Sequence, residues 1–241
     1  MKLIHFTADS KSKLGEPLPI KKLIPDWYKD GEMYYIDDSA HPEHDEDGNH
    51  IDEPKQNAGL KTCAPFLDIM ISGYAVVTPF DIYVGRDENG DLDIKWNSPT
   101  DWNDFIAERP AKSGATIPRP AGHLPNHLVW ASRWGFKAPK GYSVLVTHPF
   151  NRYDLPFTTM SGLIDSDKFF GNGNLPFFIK EGFTGLIPEG TPFAQLVPIK
   201  RKSWKMIIND SFKDTYYRQG RLVRQKDTTY KKKMWVRKVY E

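Results

Sequence analysis

The chain has 241 residues, 39% apolar and 27% charged, which fits one large soluble domain or one and a half small ones. Its 13% aromatic content excludes a disordered chain, its 19 Pro and 18 Gly follow no collagen-like period, and no apolar run approaches the ~20 residues of a membrane helix. The net charge of +2 conceals a split, because residues 200–241 hold 14 Lys/Arg and 4 Asp/Glu while the other 199 residues hold 19 and 27. A basic tail on an acidic body calls for a partner, either the acidic surface of a neighbouring subunit or a nucleic acid.

In chain order, Met1 to His5 is too short an apolar stretch for a secretory signal, and the single Cys63 cannot form an internal disulfide. Both predict a reducing, cytoplasmic setting in the producing cell. Leu3 to Thr7 reads as a strand. Pro25 suits the start and Gly31 the end of one or two helical turns, with Trp27 as their anchor. Residues 37–53 carry eight Asp/Glu and no Lys or Arg, which predicts a solvated loop. His41, His44 and His50 are interleaved there, and imidazole with carboxylate suits a zinc or iron ion, although the spacing matches no recognised zinc pattern.

Residues 61–72 read as a short buried helix with Pro65 in its first turn and Gly73 behind it, which makes Cys63 a buried, inert thiol. Tyr74 to Thr78 and Phe80 to Val84 suit strands, Asn89-Gly90 is a hairpin signal, and Leu92, Ile94 and Trp96 alternate as a returning strand should. Residues 97–127 are Pro-rich and irregular. From Leu128 the pattern becomes short, closely spaced strands: 128–130, 143–147, 157–159, 177–179, 185–187 and 193–199. Trp130, Ile164, Phe178, Phe193 and Leu196 are the expected core. In the tail, Trp204, Ile207, Ile208, Phe212 and Tyr216 recur at helical spacing, which predicts an amphipathic helix over 203–219 broken at Gly220. Residues 227–240 suit a second helix or a strand.

The fold class that follows is mainly β: an antiparallel β-clip-like or jelly-roll barrel or sandwich, with short N-terminal helices and a basic helical C-terminal extension. The expected segments are an N-terminal arm with the acidic loop (1–60), a β-rich core (61–200) and the basic extension (201–241).

Residues 141–199 hold the densest motifs: Gly141-Tyr142, then Pro149-Phe150-Asn151-Arg152, then Gly162-Leu163-Ile164-Asp165-Ser166-Asp167-Lys168-Phe169-Phe170-Gly171, and finally Gly190-Thr191-Pro192-Phe193-Ala194-Gln195-Leu196. Turn and core roles account for these residue types without any chemistry. In order and spacing the segment also resembles the second half of the dUTPase and dCTP-deaminase-like β-clip family, with one extra residue before Gly171. The resemblance implies that Asp165 would orient an attacking water and that Phe169 or Phe170 would stack on a sugar. It makes Asp165, Asp167 and Arg152 the catalytic candidates, Asn151, Phe169, Phe170 and Gln195 the substrate-binding ones, and magnesium the cofactor. The sequence departs from that family at three places. Pro149-Phe150-Asn151-Arg152 stands where a Pro-Arg-Ser-Gly phosphate loop belongs, the upstream Ala-Gly-x-Asp-Leu motif has no match, and the basic tail replaces a Gly-rich closing motif. By its early Pro25-Asp26-Trp27, its Thr62-Cys63-Ala64-Pro65 helix, the Asn151 loop and the Gly190-Thr191-Pro192 strand ending in Pro198-Ile199-Lys200-Arg201, the layout of the whole chain is also similar to a family seen in bacteria and tailed phages, including marine myoviruses, which brings no chemistry with it.

Three readings follow. The first is a non-catalytic, phage-encoded assembly protein or virion component, with no cofactor and no membrane, whose termini contact neighbouring subunits of a homo-oligomer or larger assembly. The second is a dUTPase- or deaminase-like nucleotide enzyme. The third is a nucleic-acid-binding protein using residues 201–241. The missing phosphate loop favours the first over the second, and the absence of a recognised nucleic-acid-binding fold favours it over the third.

Overall fold

The computed structural model describes residues 2–8, 14–36, 56–98, 102–114, 116–171, 173–226 and 228–241. The acidic loop 37–53, with His41, His44 and His50, lies outside the described residues. In chain order the elements are β1 (His5–Ala8), β2 (Leu18–Pro19), α1 (Asp26–Asp30), β3 (Tyr34–Ile36), β4 (Gln56–Ala58), α2 (Ala64–Met70), β5 (Tyr74–Val77), β6 (Ile82–Arg86), β7 (Leu92–Trp96) and β8 (Ile106–Glu108). Then follow β9 (Leu128–Ala131), β10 (Trp134–Lys137), β11 (Tyr142–Thr147), β12 (Phe157–Thr159), β13 (Gly162–Ile164), β14 (Asn174–Ile179), β15 (Gly185–Ile187), β16 (Pro192–Lys200), α3 (Lys213–Gln225) and α4 (Thr229–Lys233). No helix among the described residues is long and apolar enough to cross a membrane.

The chain divides into two compact units, and each draws residues from more than one of the segments 1–60, 61–200 and 201–241. One comprises Met1–Leu23, Ser72–Ser203 and Tyr240–Glu241, and the other Ile24–Ile71 and Trp204–Val239. The first unit is an assembly of antiparallel sheets, in the strand orders β13-β11-β16-β5-β2, β12-β14-β9-β8 and β15-β6-β7, with β1 paired to β10. None of these sheets closes into a barrel among the described residues, so the mainly β, antiparallel, sandwich-like class holds.

Aromatic side chains fill the core of this unit. The Trp130 ring stacks on Phe177 with centroids 3.8 Å apart, and Phe157 and Phe193 lie 5.1 Å from it. Its indole Nε1–H donates to Thr159 Oγ1 at 3.3 Å, so the polar end of this fully buried residue is satisfied. Phe178, Phe193 and Leu196 are buried as expected, while Ile164 is only half-buried at the rim. The Asn-Gly turn joins β6 to β7, with Gly90 at φ +83° and Asp87 Oδ1 accepting from the N–H groups of Asn89 and Asp91. Gly73 has no alternative: its φ is +81° and an added Cβ would lie 2.0 Å from the Leu196 carbonyl oxygen.

The second unit contains the β3–β4 pair and the helices. Tyr28, not Trp27, is the buried residue of α1, and it stacks on Phe66 of α2. Cys63 is exposed, contrary to the expected buried thiol, because it stands at the N-cap position, ahead of the first turn of α2. Near the C-terminus, Trp235 Nε1–H and Lys238 Nζ both donate to Asp68 Oδ2, at 2.8 Å and 2.5 Å.

The tail differs most from expectation. Residues 201–209 are neither helix nor strand, α3 begins only at Lys213, and Gly220 lies within it. Trp204, Met206, Ile207 and Ile208 are 70–89% exposed, and α3 buries none of its residues.

Candidate functional site

Register on β16 decides which predicted site residues meet. This strand runs antiparallel to β11, with Gln195 opposite Thr147 and Lys200 opposite Tyr142. Two polar groupings therefore form at opposite ends of β11.

At the Tyr142 end, β13 returns beside β11 and the chain turns at Asp165, whose carbonyl accepts from the N–H groups of Lys168 and Phe169. Arg201, immediately after β16, enters this turn. Its backbone N–H donates to the Gly141 carbonyl at 2.9 Å. Its Nη1 donates to Asp165 Oδ1 at 3.0 Å and to the Tyr142 carbonyl at 3.1 Å, and its Nη2 donates to Asp167 Oδ2. Ser143 Oγ donates to Asp165 Oδ1 at 2.7 Å, and the Gly141 N–H donates to Asp167 Oδ2 at 2.8 Å. The Asp167 side chain is 6% exposed and that of Asp165 57%. The Arg201 hydrogen bond, helped by the Gly141 N–H, holds the Asp167 carboxyl down to about 2. The Ser143 hydroxyl and then Arg201 lower Asp165 as well. Both carboxylates are ionised, and each gives one oxygen to protein donors, while the second Asp167 oxygen, Oδ1, is buried without a hydrogen-bond partner. Phe169 and Phe170 stand exposed beyond the turn, with Lys137 Nζ 5.1 Å from the centre of the Phe170 ring.

At the Thr147 end sits the Pro149–Arg152 turn, with Asn151 at φ +61°. Buried Gln195 accepts from the Phe150 N–H at 2.9 Å through Oε1 and donates through Nε2 to the Ser72 carbonyl at 2.6 Å. Arg152 grips Asp154 through Nε (2.9 Å) and Nη2 (2.8 Å). His148 accepts from the Thr159 N–H through Nδ1, so Nε2 carries the proton and donates to the Arg152 carbonyl at 3.0 Å. Burial lowers the pKa of this imidazole and keeps it neutral.

The expected catalytic set is thus divided. Ser143 and Thr147, which mark the two groupings, are four residues apart on β11, roughly 13 Å at strand rise. Asp165 and Asp167 meet Arg201, which the sequence reading did not count among the site residues, while Arg152 is turned to Asp154 at the far end. Gln195 is a structural crosslink between loops, without an outward-facing amide. Local spacing gives no hint of Arg201, since its partners lie 34 and 36 residues away and only the β16 register delivers it.

No protein-family profile matches the chain, and no curated protein does. Among solved structures it is similar to dUTPases. That of EIAV is 13% identical with a TM-score of 0.31, over 58% of this chain and 84% of that one. Two structures of the dUTPase from phage phi11 of S. aureus are 16% and 15% identical, with TM-scores of 0.28 and 0.25, each over 44% of this chain and 97% of that one. Likeness at this level brings no activity to this chain, and the antiparallel architecture stands on its own strand pairings.

Proposed function

We propose that this chain is a non-catalytic assembly protein whose C-terminal arm docks on a second copy of itself. The observation that carries the reading is the arm: Trp204, Met206, Ile207, Ile208 and Phe212 are 65–89% exposed within nine residues. An apolar strip of that size left in water marks an interaction site. Trp204, Met206 and Ile208 alternate at the period of a strand, directly after β16. A second copy supplies the complement. Its β13 is a sheet edge among the described residues and carries exposed Leu163. Its residues 1–199 also carry 27 acidic against 19 basic side chains, opposite in sign to the tail.

The site supports the same reading from the other side. A carboxylate that activates water must have a lone pair free to take the proton. Asp165 Oδ1 and Asp167 Oδ2 accept instead from Ser143, Gly141 and Arg201, and the remaining Asp167 oxygen, Oδ1, has no partner but is buried away from solvent. A phage-encoded particle or its precursor is the setting suggested by the resemblance in layout. The test is the double substitution Trp204→Ser with Ile208→Ser, compared with the full chain by native mass. The reading requires the variant to stay folded and to drop to a lower mass; an unchanged mass overturns it.

A further inference from the structure

The pairing of β1 with β10 builds a second feature of the first unit, a cleft of about 600 Å³. That volume suits a small molecule rather than a macromolecular face. Leu3, Ala138 and Pro139 supply apolar wall, and Lys2, His5, Lys137, Lys140 and Lys168 surround it. His5 and Lys137 are directly opposite each other across the two strands, and all five basic residues are exposed. Bringing basic groups together in this way costs stability unless an anion offsets it. The chain does not supply that anion. Among the described residues none of the five makes an ion pair, and the single carboxylate of the lining, Asp167, gives Oδ2 to Arg201 and the Gly141 N–H and keeps Oδ1 buried out of their reach.

We infer that this cleft binds the polyphosphate group of a small anion. Four ammonium groups in one cleft exceed what a single carboxylate or a monoanion neutralises, and several closely spaced phosphates match them. Lysine suits this role as a flexible point charge that three or four phosphate oxygens can share. The Lys2 ammonium over the Tyr142 ring, at 5.1 Å, and that of Lys137 over Phe170, at 5.1 Å, keep two of the cations beside aromatic faces. The cleft does not use the arm, so a monomer binds as well as an assembly does, and this inference does not depend on the assembly reading.

The experiment is calorimetric titration of the full chain with inorganic tripolyphosphate at low salt. A short single-stranded oligonucleotide serves as a second ligand. The expected result is saturable tripolyphosphate binding that weakens with added salt. Substituting Lys137→Gln with Lys140→Gln should weaken it at least about tenfold, and Lys231→Gln with Lys232→Gln in the tail should leave it unchanged. A thermal melt confirms that each variant is folded, and Lys168→Gln alone, on a turn outside the strands, should give a smaller loss in the same direction. No saturable binding overturns the inference. So does binding that the tail pair abolishes and the cleft pair does not, or an oligonucleotide that binds more tightly than tripolyphosphate and is indifferent to the cleft pair.

Discussion

Arg201 closes on Asp167 at the point where the chain leaves the β core: Nη2 takes the carboxylate that the Gly141 N–H also holds, and its own backbone N–H takes the Gly141 carbonyl. The base of the arm is therefore fixed, while the residues that follow, Trp204 to Phe212, are exposed. A fixed base with an exposed apolar continuation fits an element that engages something outside its own core.

The Asp167 pairing sets an acid limit on stability. The carboxyl is held from 3.8 down to about 2, so the unfolded chain binds its proton more readily than the folded one. The stabilisation is fully present above pH 3.8 and is lost as pH falls toward about 2. Denaturant melts across that window should fall steeply for the native protein and less steeply for Asp167→Asn. Arg201→Met, which leaves Asp167 without its main partner, should lower the melting temperature at neutral pH.

His148 acts in a higher window with the opposite charge change. Its folded pKa lies below 6.5, so the unfolded chain takes up a proton that the folded one excludes. Stability should decline as pH drops below 6.5. His148→Gln can keep hydrogen bonds to the Thr159 N–H and the Arg152 carbonyl without titrating. Its stability-against-pH curve should therefore be flatter in that range, and identical curves would show that the imidazole is not held neutral.

The aromatic core should be intolerant of truncation. Phe193→Ala removes a ring that touches both Trp130 and Phe105 and should cost about 3–5 kcal/mol in chemical denaturation. Ile164→Ala, at the half-buried rim, should cost clearly less. Equal losses would mean that the β11–β13 register is misplaced.

No deoxynucleotide hydrolysis or deamination is expected. Incubation with dUTP or dCTP and magnesium should release neither pyrophosphate nor ammonia, because Asp165 and Asp167 are paired with Arg201 and lie at the opposite end of β11 from the Arg152 turn. Turnover that Asp165→Asn abolishes would restore the enzyme reading.

Much of the β core is legible from sequence because its signals are local. Phe157 to Thr159 and Gly185 to Ile187 are bounded by turn residues, and Asn89-Gly90 marks its hairpin without any tertiary information. β8 and β10 escape notice because each is short, lies in or beside a Pro-rich stretch and is defined by a distant partner; β10 pairs with residues more than 120 positions away. The tail is misread for a different reason. Trp204, Ile207, Ile208 and Phe212 satisfy a helical period, but Trp204, Met206 and Ile208 equally satisfy a strand period, and without a partner surface neither wins. Gly220, read as a breaker, costs only about 1 kcal/mol inside a helix, which the good helix formers around it offset. Arg201 and the lysine cleft are invisible to spacing because the β11–β16 and β1–β10 registers assemble them.

The measurement that bears most directly on the assembly reading is the native mass of the 241-residue chain, by sedimentation across a range of concentrations at moderate salt. The chain weighs 27.7 kDa. The account predicts a stable mass at a whole multiple of that value, reduced by substitutions at Trp204 and Ile208. A species of 27.7 kDa at every concentration, with the arm still exposed to limited proteolysis, would contradict it.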